Sequence, residues 1–217
     1  MKVLIHNDFK TELGIVRTYI ETNTSQNSNF SESLFVNTAN YKIRLEVFEL
    51  QNEWLPENMS FKTSKGWRWF IEKTNEKNED LTIYCKLLEV KPETNWSHDS
   101  GQHLDAIAIE NKINIVHIGT EDGEIMQFRA VNQDYMPIRF KDELSIAKSF
   151  TEYIDYGFKT VIPELKINEK IYFHFLVATN SLNENKEYNN STDASTWYAV
   201  EKSKKLLDYY LKEQTIL

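Results

Sequence analysis

The sequence predicts an α+β fold built mainly on antiparallel sheet. Three observations predict it. Several segments alternate apolar and polar residues with the period of a strand. Two segments are apolar on both strand faces. Two others space their apolar residues three and four apart, as a helix does. Aromatic residues make up 13% of the chain, which favours sheet because aromatic and β-branched side chains fit a pleated surface.

In chain order, short strands are expected at 2–6, 13–20 and 34–37. The next is a half-buried strand in which Tyr41, Ile43, Leu45 and Val47 alternate with Lys42, Arg44 and Glu46. Trp67, Trp69 and Ile71 share one face of 66–72. Leu81, Ile83, Cys85 and Leu87 share one face of 81–87. Segment 104–130 reads as a three-strand meander with turns at 110–112 and 120–123. Its middle strand sends Ile113 and Ile115 one way, Val116 and Ile118 the other. Segment 170–179 carries Ile171, Phe173, Phe175 and Val177 against Tyr172, His174, Leu176 and Ala178. A strand apolar on both faces is normally covered on both, so these two segments are expected at the centre of the sheet.

Helices are expected at 141–156 and 195–213. In the first, Asp142 suits an N-cap and Gly157 the C′ position, and Leu144, Ala147 and Ile154, with Ile146, Phe150 and Tyr153 beside them, make a broad apolar stripe. The second sets Trp197, Val200, Leu207, Tyr210 and Leu211 on one side. Polar stretches 22–33, 73–80, 92–102 and 180–194 read as loops. A chain of 217 residues suits a single domain, with two sub-structures, 1–95 and 98–217, meeting near VKPETNWSHDSGQ.

The formal net charge is −8, divided as −2 over residues 1–97 and −6 over 98–217. Such a field repels nucleic acid and anionic membrane and attracts a basic partner. Cys85 is the single cysteine, which excludes an internal disulfide or a multi-thiolate zinc site and fits a reducing compartment. No run approaches 18 apolar residues, and the apolar start is broken at once by His6, Asn7 and Asp8. A cytoplasmic protein is expected, with no cofactor.

Reactive motifs are sparse. The chain holds no G-x-S-x-G elbow and no glycine-rich phosphate loop. The one dense group of ligand-type residues is His98, Asp99, His103 and Asp105, which would reach a common metal if the loop folded back at Gly101. With that group, and His117 or His174 nearby, a hydrolase is one reading. His174 lacks a nucleophile that the sequence can pair with it. Cys85 reads as a buried structural thiol. An aromatic ligand platform of Trp54, Trp67 and Trp69 is a second reading. The leading expectation is a binding protein without catalysis. Its contact residues would be Glu121, Asp122 and Glu124 at an acidic turn, with Asp105 beside them.

The runs HDSGQHLDAIAIENKINIVHIGTEDGE, IYFHFLVAT and STWYAVEKSKK resemble sequence found in immunity proteins of bacterial polymorphic toxin systems. The resemblance implies a cognate toxin as partner, with Glu121, Asp122 and Glu124 occluding a basic active-site cleft.

Overall fold

The fold is described from a computed structural model over residues 2–22, 34–50, 60–99, 101, 103–182, 196, 199 and 200. Trp54, the polar segments 23–33 and 183–195, and most of the expected 195–213 helix lie outside these residues.

Among the described residues, twelve strands form two antiparallel sheets. The five-stranded sheet runs in the order β1 (Lys2–Thr11), β2 (Gly14–Thr22), β6 (Leu81–Leu88), β11 (Gly157–Val161), β10 (Thr151–Ile154). The seven-stranded sheet runs β3 (Phe35–Asn37), β4 (Tyr41–Phe48), β5 (Thr63–Lys73), β12 (Lys170–Ser181), β9 (Asn114–Glu121), β8 (Leu104–Glu110), β7 (Asn95–His98). Strands from either side of residues 95–98 occur in both sheets. β12 occupies the middle of the larger sheet and is buried along both faces, as its sequence predicts.

The sheets face each other across one hydrophobic core. The alternation read from the sequence sets which residues enter it: Ile43 and Leu45 from β4, Ile83 and Cys85 from β6, Phe173 and Phe175 from β12. Trp67 and Trp69 are core residues with no exposed surface, so they form no external platform. Each buries on the order of 200 Å², which at ~25 cal/mol per Å² is roughly 5 kcal/mol of gross stabilisation. Each also donates its indole N–H to the opposite sheet. Trp69 Nε1 reaches Thr18 Oγ1 at 2.8 Å, and Trp67 Nε1 reaches Asn7 Oδ1 at 2.9 Å. A buried indole is thereby satisfied, and the two sheets are held in register.

The fold class is mainly β, which corrects the α+β expectation. Among the described residues the one complete α-helix is α1 (Gly123–Asn132), and it occupies the place expected for the third strand of the meander. Residues 120–123 are therefore not a hairpin turn. β9 runs to Glu121, and Asp122 then caps α1 by accepting from Ile125 N at 2.9 Å. Ile113 lies in the β8–β9 turn, 67% exposed, so the apolar strand begins one residue later than expected.

The expected 141–156 helix is absent. Ile138–Asp142 is a short 3₁₀ turn, and β10 and β11 make a hairpin around Asp155 and Tyr156. The apolar stripe does not share a face: Leu144 is buried while Ile146 is 77% exposed. Gly157 serves close packing rather than a helix end, since a Cβ there would strike the Cys85 carbonyl. Of the expected C-terminal helix, Thr196, Ala199 and Val200 are described; they are helical and buried. Ala199 and Val200 pack with Leu104, Ala106, Leu176 and Ala178 on the outer face of the larger sheet. No described helix is long and apolar enough to cross a membrane.

Candidate functional site

The outer face of the seven-stranded sheet carries rows of charged and aromatic side chains. Cross-strand pairing sets these rows. Lys42, Glu72 and Lys170 lie in one, Arg44, Phe70 and Tyr172 in the next, and Glu46, Arg68 and His174 in the third. These residues alternate with the core-facing positions of β4, β5 and β12.

At the β12–β9 end of these rows, α1 folds back and delivers Arg129. Its guanidinium is buried, and all five of its N–H groups are used. Nη1 donates to Glu121 Oε2 at 2.5 Å and to Tyr172 O at 3.3 Å. Nη2 donates to Tyr172 O at 3.2 Å and Tyr135 O at 3.1 Å, and Nε donates to Asp134 O at 3.2 Å. The guanidinium also lies 3.5 Å from the centre of the Tyr172 ring. Burial alone would lower the Arg129 pKa; the charge of Glu121 outweighs it and holds the group above its ordinary value. His174, fully buried, sets Nδ1 4.0 Å from the other oxygen of Glu121.

A second polar group lies further along β9. His117 Nε2 is 2.8 Å from Asp99 Oδ2, and Nδ1 is 2.6 Å from Thr196 Oγ1. The order acid–imidazole–hydroxyl is that of a nucleophilic triad. His117 and Thr196 have no exposed surface, however, so the hydroxyl faces protein. The arrangement fastens the segment after β7 and the helical residues near the chain end onto the sheet.

The four loop residues proposed to share a metal separate. The His98 ring packs on Tyr153 at 4.1 Å, Asp99 turns to His117, and Asp105 accepts from the Tyr153 hydroxyl at 3.0 Å. His103 goes to the start of α1, with Nδ1 3.1 Å from Glu124 Oε2 and 3.7 Å from Asp122 Oδ2. The donor atoms of His103, Asp122 and Glu124 lie within 4.8 Å of one another. The N-terminus of a helix carries partial positive charge, which favours those carboxylates and disfavours a cation beside them. Of the four residues expected to contact a partner, Glu121 is sealed inside against Arg129. Asp122 is buried as a cap, Asp105 is half-buried, and Glu124 is exposed.

Two hollows that share Tyr135 and Lys170 open over the first two rows. Their volumes are about 540 and 280 Å³. Lys42, Arg44, Arg139, Lys166 and Lys170 line them against two carboxylates, Glu72 and Glu169. Phe70, Tyr135 and Tyr172 form an aromatic triangle with ring centres 5.7, 5.8 and 6.0 Å apart, and Arg44 stands 4.5 Å over Phe70. Arg139 grips Glu169 with two nitrogens. Burial would raise the Glu169 pKa, and the hydrogen bonds from Arg139 and Lys166 N outweigh it, so the carboxyl stays below its ordinary value. None of the five cations stands out in the sequence, because 42, 44, 139, 166 and 170 come together only through the β4–β5–β12 register and the turn after α1.

Comparison with protein families, characterised proteins and solved structures gives no match to this chain.

Proposed function

We propose that the chain is a cytoplasmic protein that binds and masks a basic protein partner, after the manner of the toxin-immunity proteins that parts of its sequence resemble. The observation that carries this reading is the outward face of α1. Glu124, Phe128 and Val131 stand at i, i+4 and i+7 of one helix and so share a side. Phe128 is 57% and Val131 54% exposed, while Met126, Arg129 and Ala130 are buried behind them.

Large apolar side chains held outward on a well-packed helix are the anchors that interfaces use, and a neighbouring carboxylate steers a cationic partner toward them. The net charge of −8 acts in the same direction at longer range. Glu124 carries the acidic part of the contact in this reading, with Asp105 at its margin. Glu121 and Asp122 hold α1 in place.

The test uses the immobilised chain and the variants Glu124→Lys and Phe128→Asp against extract of the native host. One basic protein retained by the parent chain, and lost by both variants, is the expected result. Equal recovery on all three overturns the reading.

A further inference from the structure

We propose that the cleft over Phe70, Tyr135 and Tyr172 binds a nucleoside phosphate, with the phosphates between Lys42, Lys166 and Lys170 and the base against the exposed side of Tyr135. The proposal is independent of the masking role, which uses α1.

Charge is the first argument. The chain carries an excess of eight acidic groups, yet this cleft gathers five cations against two carboxylates. Arg139 and Lys170 are engaged by Glu169 and Glu72. Lys42 and Lys166 have no carboxylate within ion-pair distance among the described residues. Lys42 faces the smaller hollow and Lys166 the larger, and the two hollows meet at Lys170; with Arg44 and Arg139, which are paired to Glu46 and Glu169, these cations form a seat for a multiply charged anion at the junction.

Shape is the second. Tyr135 stands between the two hollows as a shared wall, dividing the space into compartments of about 540 and 280 Å³. That size suits a small molecule of two unlike parts. An extended acidic peptide would need a continuous groove. Tyr135 is fixed by edge-on packing with Phe70 and Tyr172, and its carbonyl accepts from Arg129 Nη2 and Tyr172 N. A rigid aromatic side chain is a stacking surface for a planar base.

Backbone conformation is the third. Seven non-glycine residues among those described have positive φ, and three of them line the larger hollow: Gln133 at 56°, Tyr135 at 44° and Asn168 at 67°. Gln133 takes this conformation as the cap that ends α1, whereas a bulky residue such as Tyr135 rarely adopts it, and such conformations concentrate where a site is being shaped.

The experiment is calorimetric titration of the full chain with ADP, adenosine and inorganic pyrophosphate, repeated on the double variant Lys42→Glu/Lys166→Glu. Both lysines lie at the protein surface, and circular dichroism checks the fold of the variant. The expected result is binding of ADP, weaker binding of pyrophosphate, none of adenosine, and a loss of about tenfold or more in ADP affinity in the variant. If the variant fails to fold, raising the salt concentration replaces it, and ADP affinity must fall. Absence of ADP binding overturns the proposal. So does ADP affinity unchanged by the substitutions or by salt, or pyrophosphate binding as tightly as ADP. Capture of a poly-glutamate peptide in place of ADP overturns it as well.

Discussion

Glu121 and Arg129 form an ion pair with both side chains sealed from solvent, Oε2 to Nη1 at 2.5 Å. They stand eight positions apart in the chain, and the pair closes the β9–α1 turn onto the sheet. Removing one member leaves a buried charge without its partner, which costs about 3–5 kcal/mol, whereas replacing both with apolar residues of similar size costs much less. We expect Arg129→Met to lose at least that amount in urea unfolding and Glu121→Leu/Arg129→Met to recover the part due to the unpaired Glu121 charge, while the carbonyls of Asp134, Tyr135 and Tyr172 stay without their donor. A double variant as unstable as the single one would show that the pair does not set this stability.

The contact of Trp69 with Thr18 gives a second expectation. Thr18→Val keeps the side-chain shape and removes the acceptor of a buried indole N–H, which costs about 1–3 kcal/mol. Combined with Trp69→Phe, the losses should add to less than their sum, because the same hydrogen bond is removed twice. Denaturant unfolding followed by circular dichroism measures this; full additivity would mean the bond contributes nothing.

The acid limb of stability should depend on Asp8. Arg17 donates to both of its oxygens, at 2.6 and 2.7 Å. The hydrogen bond from Arg17 holds the carboxyl below its ordinary value of 3.8 against the opposing effect of burial. A carboxyl whose folded pKa is lowered adds stability that is present above the unfolded value and is lost as pH falls through the folded one. Asp8→Asn should therefore be less stable than the parent at pH 7 and converge with it below about pH 4. Both side chains are about a third exposed, so the difference at neutral pH should be under ~1 kcal/mol. Unfolding curves at three pH values decide it, since a gap that persists in acid has another origin.

Gly123 should tolerate no side chain. In an open helix Gly→Ala stabilises by up to about 1 kcal/mol. Here a Cβ would run into the carbonyls of Ser145 and Lys148, which bond each other's backbone N–H groups at 3.0 and 2.9 Å and have nowhere to move. Gly123→Ala is expected to lose about 1–3 kcal/mol, read as a lowered melting temperature. A raised one would mean that the 145–148 loop yields freely.

Strands were legible where period-2 alternation is strict, as in β4, β5 and β6, and where both faces are apolar, as in β12. They were legible because burial in a sheet acts on every second residue and leaves that mark. The meander failed after Glu121 because Asp122-Gly123 is ambiguous. The same pair that suits a hairpin tip also suits a helix start, and the deciding partners, Ser145 and Lys148, lie more than twenty residues on. The 141–156 helix failed because helical spacing of Leu144, Ala147 and Ile154 is a one-dimensional coincidence. Thr151–Ile154 finds its hydrogen bonds on β11 instead. The polar chemistry was the least legible part. Glu121 reads as a surface acid until Arg129 is brought over it, and the cations of the cleft share no local pattern.

The position of β12 also bears on how the chain reaches this state during synthesis. Thr63 and Thr179 meet hydroxyl to hydroxyl at 2.7 Å from positions 116 residues apart. The strand that joins β5 to β9 is the last of the twelve to leave the ribosome. Until it arrives, the β3–β4–β5 and β7–β8–β9 halves of the larger sheet each present an open apolar edge. Pairing strands this far apart in sequence is intrinsically slow, and the two open edges are where copies of the nascent chain would join each other.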